Sequence, residues 1–530
     1  MARKFICTKT EPIVQTKAGK LRGFILDGTY TFHGIKYANA KRFHQPTPVE
    51  PWEGVKDALA YGYTCPLMRQ DEPSNELFVP HRYWPQDENC QYLNIWTQSV
   101  DPTAKKPVMV WLHGGLFSAG SSIEHVAYDG ENLSRYGDVV VVSLNHRLNI
   151  LGYMDLSPFG EEYKNSANAG NADIVAALQW IHDNIANFGG DPDNVTLFGQ
   201  SGGGMKVWTL MQTPAADGLF HKGITQSGYQ EGILHEYGTD GTKIVTAMME
   251  ELGITDVKEL ETIPYAQLLQ AYKAVSPALK AAGEYVGCIP KSGDWYAGDP
   301  REVGFTDHAK TIPFMIGTVL GEFSFFPALD PEVKANKALI DEALTERYGA
   351  DAEELKKLFA ETYPDKDISD LLFLDSYFRA PSSDFALKKA QHPESETFTF
   401  QFTYTFPFDS GHIAWHCCEI PFVFHNTSLV AAYNEEGVTD RLEKQLCDAW
   451  VNFARTGKPS SDALPEWPAC KPGDEACMVF DRETTLRHNH DHKLIALHEK
   501  AVPPFKFGAN FSRLLGNKNG DAEMEQKIQH

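Results

Sequence analysis

From about residue 107 to 230, short unbroken apolar runs alternate with stretches whose apolar positions recur every three or four residues. Val108–Leu112 (VMVWL) and Val139–Leu144 (VVVVSL) are apolar throughout, the pattern of strands covered on both faces. Between Asn171 and Asn187, the residues Ile174, Ala177, Leu178, Ile181 and Ile185 share one helical face, and Gly189-Gly190-Asp191-Pro192 ends that helix. Val195–Phe198 (VTLF) then predicts a strand, with later ones at Gly223–Gln226 and Pro313–Thr318. Leu442, Leu446, Trp450 and Phe453 mark a late helix stopped by Gly457 and Pro459. Strands alternating with helices imply an α/β fold: a large, mostly parallel sheet joined by right-handed crossovers and flanked by helices. The helix-biased stretches at about 240–300 and 331–390 read as insertions around the active-site entrance, within one domain spanning 1–530. The tail after about Leu515 is polar and reads as loose.

Composition narrows the class. The chain is 42% hydrophobic and 22% charged, as ordinary globular proteins are. A formal net charge of −23 argues against a nucleic-acid partner, because phosphate binding needs a basic face. No run approaches the roughly 18 to 20 apolar residues of a membrane helix. The start, MARKFICTKTEPIV, lacks the apolar segment of a secretory signal, so the expected location is cytoplasmic. None of the nine cysteines falls in a zinc-binding array, so no metal is expected. Cys65 and Cys90 are a pair that would close a surface loop in an oxidising compartment.

The chemistry concentrates at Gly199-Gln200-Ser201-Gly202-Gly203. A strand leads into this G-x-S-x-G, and Met205–Gln212 behind it predicts a helix ending at Thr213-Pro214. A sharp strand–turn–helix lifts a nucleophilic serine into the open and backs it with helix-terminal amides. A second motif, His113-Gly114-Gly115-Leu116-Phe117, follows the strand VMVWL. Ester hydrolysis places negative charge on the carbonyl oxygen, and losing one preorganised N–H donor costs on the order of 3 kcal/mol. The candidate donors are the amides of Gly115, Leu116 and Gly202.

Taken together, these motifs resemble the type-B carboxylesterase and cholinesterase-like family of α/β-hydrolases, in its bacterial para-nitrobenzyl-esterase-like form. The likeness runs through Phe32–Ala38, Glu88–Ile95, Ser143–Leu148, Asn171–Gly204 and Gln226-Ser227-Gly228. It implies a Ser–Glu–His triad in that chain order. Glu322, in GTVLGEFSFF, resembles the family's acid loop, and His416, in AWHCCEIPFVF, resembles its histidine loop. The resemblance further implies pocket-lining roles for Phe325 and Phe326, a supporting role for Glu419 with Ser227, and an ion pair between Arg147 and Glu88. His113 and His146 are expected to orient backbone, and His412 is a nearby decoy.

The chain departs from the family pattern at four places. Leu116 stands where a third oxyanion glycine is usual, Gln200 where Glu is usual, Gly202 for Ala, and Phe323 for a glycine after the acid. Trp84 lies too near Cys90 to serve a choline site, so a dedicated choline-ester pocket is disfavoured. The expectation is a cofactor-free serine esterase for small to medium, largely apolar esters, acting through an acyl-enzyme on Ser201. Its activity should fall as His416 is protonated, roughly below pH 6 to 7. An amidase or carbamate hydrolase would share the same triad, and some relatives of this fold are silent binding proteins. Oligomeric state has no signature here.

Overall fold

The structure, a computed structural model, describes residues 3–68, 79–230, 234, 240–324, 331–408 and 410–502. Its main sheet is built from β1 (Phe5–Ile6), β2 (Phe24–Leu26), β3 (Thr29–Lys36), β4 (Tyr92–Thr97), β5 (Lys106–Leu112) and β6 (Val140–Leu144). It continues through β7 (Gly190–Gln200), β8 (Lys222–Gln226), β9 (Phe314–Val319), β10 (Thr397–Phe402), β11 (Ala476–Phe480) and β12 (Thr485–His488). The order across the sheet is β1-β2-β3-β4-β6-β5-β7-β8-β9-β10-β11-β12. Every pairing from β6 to β11 is parallel, while both edges are antiparallel. The α/β expectation therefore holds.

Side-chain alternation explains the unbroken apolar strands. Val108, Val110 and Leu112 of β5 enter one core with Ile174, Ala177, Leu178 and Ile181 of helix α1 (Ala169–Asn184). Met109 and Trp111 enter the opposite core, which will be closed by Leu442, Leu446 and Trp450 of a late helix, Thr439–Thr456. A strand wetted on neither face needs apolar residues at both parities. Helix α2 (Gly202–Met211) follows β7 directly. The region around 240–300 supplies α3 (Thr242–Leu252) and α4 (Tyr265–Ala281). The later one supplies α5 (Lys337–Tyr348), α6 (Ala352–Thr362) and α7 (Arg379–Lys389), and Thr439–Thr456 is α8. No helix among the described residues is long and apolar enough to cross a membrane. The polar tail lies outside the described residues.

One expectation about pairing is corrected. Arg147 does not meet Glu88: its Nε donates to Asp173 Oδ2 at 2.9 Å and its Nη2 to Asp173 Oδ1 at 2.7 Å. Asp173 lies one turn into α1 and also accepts from the Arg147 amide at 3.0 Å, so its carboxylate faces the loop after β6 and matches the guanidinium fork. Glu88 instead accepts from Arg42 Nε at 2.7 Å, and Arg42 also donates to the carbonyls of Leu260 and Ile263, both at 2.7 Å. Cys65 and Cys90 are free, buried thiols whose side chains lie against each other, and Cys65 Sγ accepts from the amide of Leu148 at 3.2 Å.

The Arg147–Asp173 pair is fully enclosed, whereas the Glu88 side chain is 30% exposed. Removing one member of an enclosed pair strands the other charge, so Asp173→Ala should lower the unfolding free energy by about 3 to 5 kcal/mol. Glu88→Ala should cost clearly less, because water reaches the stranded Arg42 more easily. Urea denaturation of both variants checks the ranking, and equal losses would contradict it.

Candidate active site

Sheet register brings the chemistry to one edge. Leu112 lies beside Gly199, Gln200 beside Gln226, and Gln226 beside Gly317, so the carboxyl ends of β5, β7, β8 and β9 finish side by side. Ligands of open α/β sheets bind at this edge. Ser201 caps α2 with φ 55° and ψ −127°, a strained conformation for a residue with a side chain. Its amide donates to the Gln226 carbonyl at 2.8 Å, and its own carbonyl accepts from Met205 at 3.0 Å, so the turn is held on both sides.

Two glycines allow that turn to seat itself. A Cβ on Gly203 would stand 1.9 Å from the Leu112 carbonyl oxygen, so the start of α2 lies directly on the end of β5. A Cβ on Gly202 would stand 2.2 Å from the amide nitrogen of Leu116. Leu116 has φ 55° and is 43% exposed, while Gly115 has φ 85°. The loop therefore bends through two left-handed residues, and the missing side chain at Gly202 makes room for the backbone of Leu116. Gly114 borders the serine itself: its Cβ position is 3.5 Å from Ser201 Cβ.

The acid and histidine loops meet at the same edge. Glu322 is fully buried; its Oε1 accepts from the Val319 amide at 2.9 Å and its Oε2 from His416 Nδ1 at 2.5 Å. The loops are laced by backbone bonds as well, Gly321 to the Ala414 carbonyl at 2.9 Å and His416 to the Glu322 carbonyl at 3.1 Å. A carboxylate can only accept, so in the neutral ring Nδ1 carries the proton and Nε2 is the unprotonated, basic nitrogen. His412, the decoy, is turned to a different partner: its Nε2 bonds to the Ser324 carbonyl at 2.9 Å.

Several neighbours were not foreseen. The Phe378 ring lies 5.2 Å from the His416 ring at 31°, and Phe323 packs 5.8 Å from Phe378 and 6.1 Å from Tyr377. Asp375 accepts from the amides of Tyr377, Phe378 and Arg379 at 3.0 to 3.1 Å and so fixes the entry into α7. Burial, and then the charge of Glu322, push its carboxyl up to about 8. Cys417 Sγ donates to Gln200 Oε1 at 3.1 Å, tying the histidine loop to the elbow. Only Phe323, as an aromatic where glycine is usual, carried a signal in the sequence; the partners come from loops that spacing does not connect.

Of the expected supporting residues, Gln200 is buried and its Nε2 has no partner among the described residues. Glu419 Oε1 accepts from Gln226 Nε2 at 2.9 Å; Ser227 Oγ and Glu419 Oε2 have no hydrogen-bond partner among the described residues. Burial pushes the Glu419 carboxyl up to about 7. His113 and His146 do hold backbone, each through Nδ1 at 2.9 Å, to the carbonyls of Gly114 and Arg147. Trp84 lies edge-on to Tyr61, with centroids 5.5 Å apart. Phe325 and Phe326 lie outside the described residues. Among the described residues, two groups have metal-ligand chemistry, His81–Glu124–His125 and Glu475–Asp491–His492. The second is filled by the Arg379 guanidinium, and neither contains Ser201, Glu322 or His416.

The chain is similar to known proteins along most of its length. Para-nitrobenzyl esterase of Bacillus subtilis is 34% identical over 492 residues, covering 91% of this chain and 97% of its own. Phenmedipham hydrolase of Pseudarthrobacter oxydans is 34% identical over 493 residues, covering 89% and 96%. An esterase from anaerobic Clostridium hathewayi, described as able to hydrolyze aliphatic aromatic polyesters, superposes with a TM-score of 0.92 at 54% identity, covering 94% of this chain and all of that one. The Carboxylesterase family profile matches residues 10–497, and the chain accordingly belongs to the carboxylesterase family of α/β-hydrolases, as a serine-dependent carboxylic-ester hydrolase.

Proposed function

We propose that Ser201, His416 and Glu322 carry out this hydrolysis as nucleophile, general base and orienting acid. Ser201 Oγ attacks the ester carbonyl while His416 Nε2 takes its proton, and Glu322 stabilises the imidazolium that forms. Amides of Gly115, Leu116 and Gly202 receive the oxyanion. His416 then protonates the departing alcohol, and water attacks the acyl-enzyme by the same route. The observation that carries this reading is the 2.5 Å Glu322–His416 hydrogen bond, formed at the sheet edge where Ser201 sits on its strained turn.

The substrate reading is a small to medium ester with an apolar or aromatic acyl or alcohol group. The aromatic wall of Phe323, Tyr377 and Phe378 beside His416 supports it; a pocket-lining role for Phe325 and Phe326 is proposed from the family resemblance. The polyester description of the Clostridium hathewayi relative suggests aromatic esters as the first class to assay. The stretches around 240–300 and 331–390 are read as the entrance of a single catalytic domain. In support, α5 and α6 pack Ile340, Leu344, Leu355 and Phe359 against Leu320 and Ile413, which flank the acid and histidine loops. The cytoplasm remains the proposed location.

Ser201→Ala should lower kcat on p-nitrophenyl esters by about 10⁶-fold, as nucleophile removal does in serine hydrolases. It should also escape labelling by a serine-directed phosphonate. Labelling at another serine would overturn the assignment, and matched ester and amide substrates separate esterase from amidase. The fit between Gly202 and Leu116 gives a second test. Gly202→Ala should lower kcat by about 10²- to 10³-fold, because its methyl displaces an oxyanion donor. Leu116→Gly in the same chain should restore part of that loss by freeing the loop to move. A Gly202→Ala enzyme with wild-type kcat would show that the close approach is unimportant.

A further inference from the structure

Lys206 lies in α2, five residues beyond Ser201, and its residue surface is wholly buried. Helical side chains lean back toward the N-terminus, and this one returns beneath the oxyanion loop, where Nζ donates to the His113 carbonyl at 2.9 Å. That carbonyl belongs to the peptide that begins Gly114, the residue bordering Ser201. Fully buried lysines are rare unless paired, and an ammonium has three donors. Among the described residues Lys206 makes this one hydrogen bond and no ion pair within 4.0 Å. A methionine would fill the same space without the desolvation cost, so packing alone does not account for a lysine.

The groups facing Lys206 leave it the cation of this pocket. His113, after β5, and His146, after β6, stack at 5.3 Å, and burial followed by the Lys206 charge pushes both well below the usual imidazole range. They stay neutral. Arg147 is committed to Asp173, and the Phe117 ring centre is 6.0 Å from Nζ. Glu124, from the following loop, is the one carboxylate that favours the ammonium, through a longer-range interaction. Burial outweighs it and brings Lys206 down to about 7.

We propose that the Lys206 ammonium is a positioning residue for ester hydrolysis, holding the oxyanion loop through the His113 carbonyl and setting a positive charge beneath the developing oxyanion. The inference rests on the roles proposed above for Ser201 and the loop amides. A neutral ester carbonyl feels that charge weakly, whereas the oxyanion of each tetrahedral intermediate feels it strongly, so the benefit falls on kcat more than on KM. The charge is present below the lysine's pKa and lost as pH rises through it. The oxyanion in turn favours the protonated lysine, so the loss of kcat lies at or above pH 7. With His416 required neutral, kcat becomes bell-shaped.

The test is kcat and KM for p-nitrophenyl butyrate over about pH 5.5 to 9.5 in the wild type, Lys206→Met and Lys206→Gln, with thermal midpoints recorded beside them. Lys206→Met should lower kcat about tenfold near neutral pH while KM stays within about twofold, and the alkaline fall should vanish. Lys206→Gln keeps a donor for the His113 carbonyl but no charge, and should track Lys206→Met. A Gln variant equal to wild type in kcat and pH profile would overturn the charge role, as would Met and wild-type profiles that coincide. If neither variant folds, a wild-type kcat that stays flat above neutrality overturns it alone. Ser201→Ala run alongside separates the two failures: residual activity there sinks the nucleophile assignment, whereas a dead Ser201→Ala beside wild-type-like Lys206 variants sinks only this inference.

Discussion

Parallel pairing in register across β5, β7, β8 and β9 is the constraint on which the rest depends. It is dictated by strands apolar on both faces, which are stable only when helices cover each side, and helices require crossover connections that keep the strands parallel. Parallel strands share a carboxyl edge, so the residues leaving Leu112, Gln200, Gln226 and Val319 emerge together. Slipping β7 by one position would turn Leu197 and Phe198 to the opposite cores and carry Ser201 away from the oxyanion loop. Burial of the core and placement of Ser201, the proposed nucleophile, are thus one requirement.

The second half of the site comes from longer loops and is held differently. Glu322 follows β9 closely, but His416 lies well beyond the end of β10, so strand geometry does not position it. Backbone bonds from Gly321 to Ala414 and from His416 to Glu322 perform that task, and the carboxylate–imidazole bond is the last element of a ladder between two loops. Helix α7 supports the ring from behind. Arg379, at its start, is bound by Glu475 at 2.7 Å and by Asp491 at 2.7 Å, which anchors the helix that presents Phe378 to His416. Such a ring restricts imidazole rotation without forming a hydrogen bond, and the orienting role proposed for Glu322 needs the same fixed ring plane.

Legibility followed the range of the determining interactions. The strands at Val108–Leu112 and Val195–Phe198 and the elbow were readable because burial and turn chemistry are local. The β10 sequence TFTFQF and the antiparallel edge went unread; in β10 threonines and glutamine occupy buried positions that are polar on paper. The carboxylate partner of Arg147 is not legible in the sequence because a guanidinium's partner is chosen by three-dimensional approach, and Asp173 reaches it from one turn into a helix. Asp375, Phe378 and Cys417 lay hidden for the same reason: each acts on the site across a long stretch of chain.

Departures from the family pattern become intelligible once they are taken in contacting pairs. Leu116 alone weakens an oxyanion loop and Gly202 alone loosens an elbow, yet Gly202 has no room for a Cβ because the Leu116 backbone occupies that space. Gln200 alone removes a charge, but its Oε1 accepts from Cys417, a bond joining the elbow to the histidine loop that needs no ion beside the nucleophile. Phe323 is likewise matched by Phe378 and Tyr377. Contacting residues do not contribute additively, so the effect of each change is set by its partner. Conserving the chemistry in this fold requires conserving contacts between loops, and individual residues can change so long as the pair still closes.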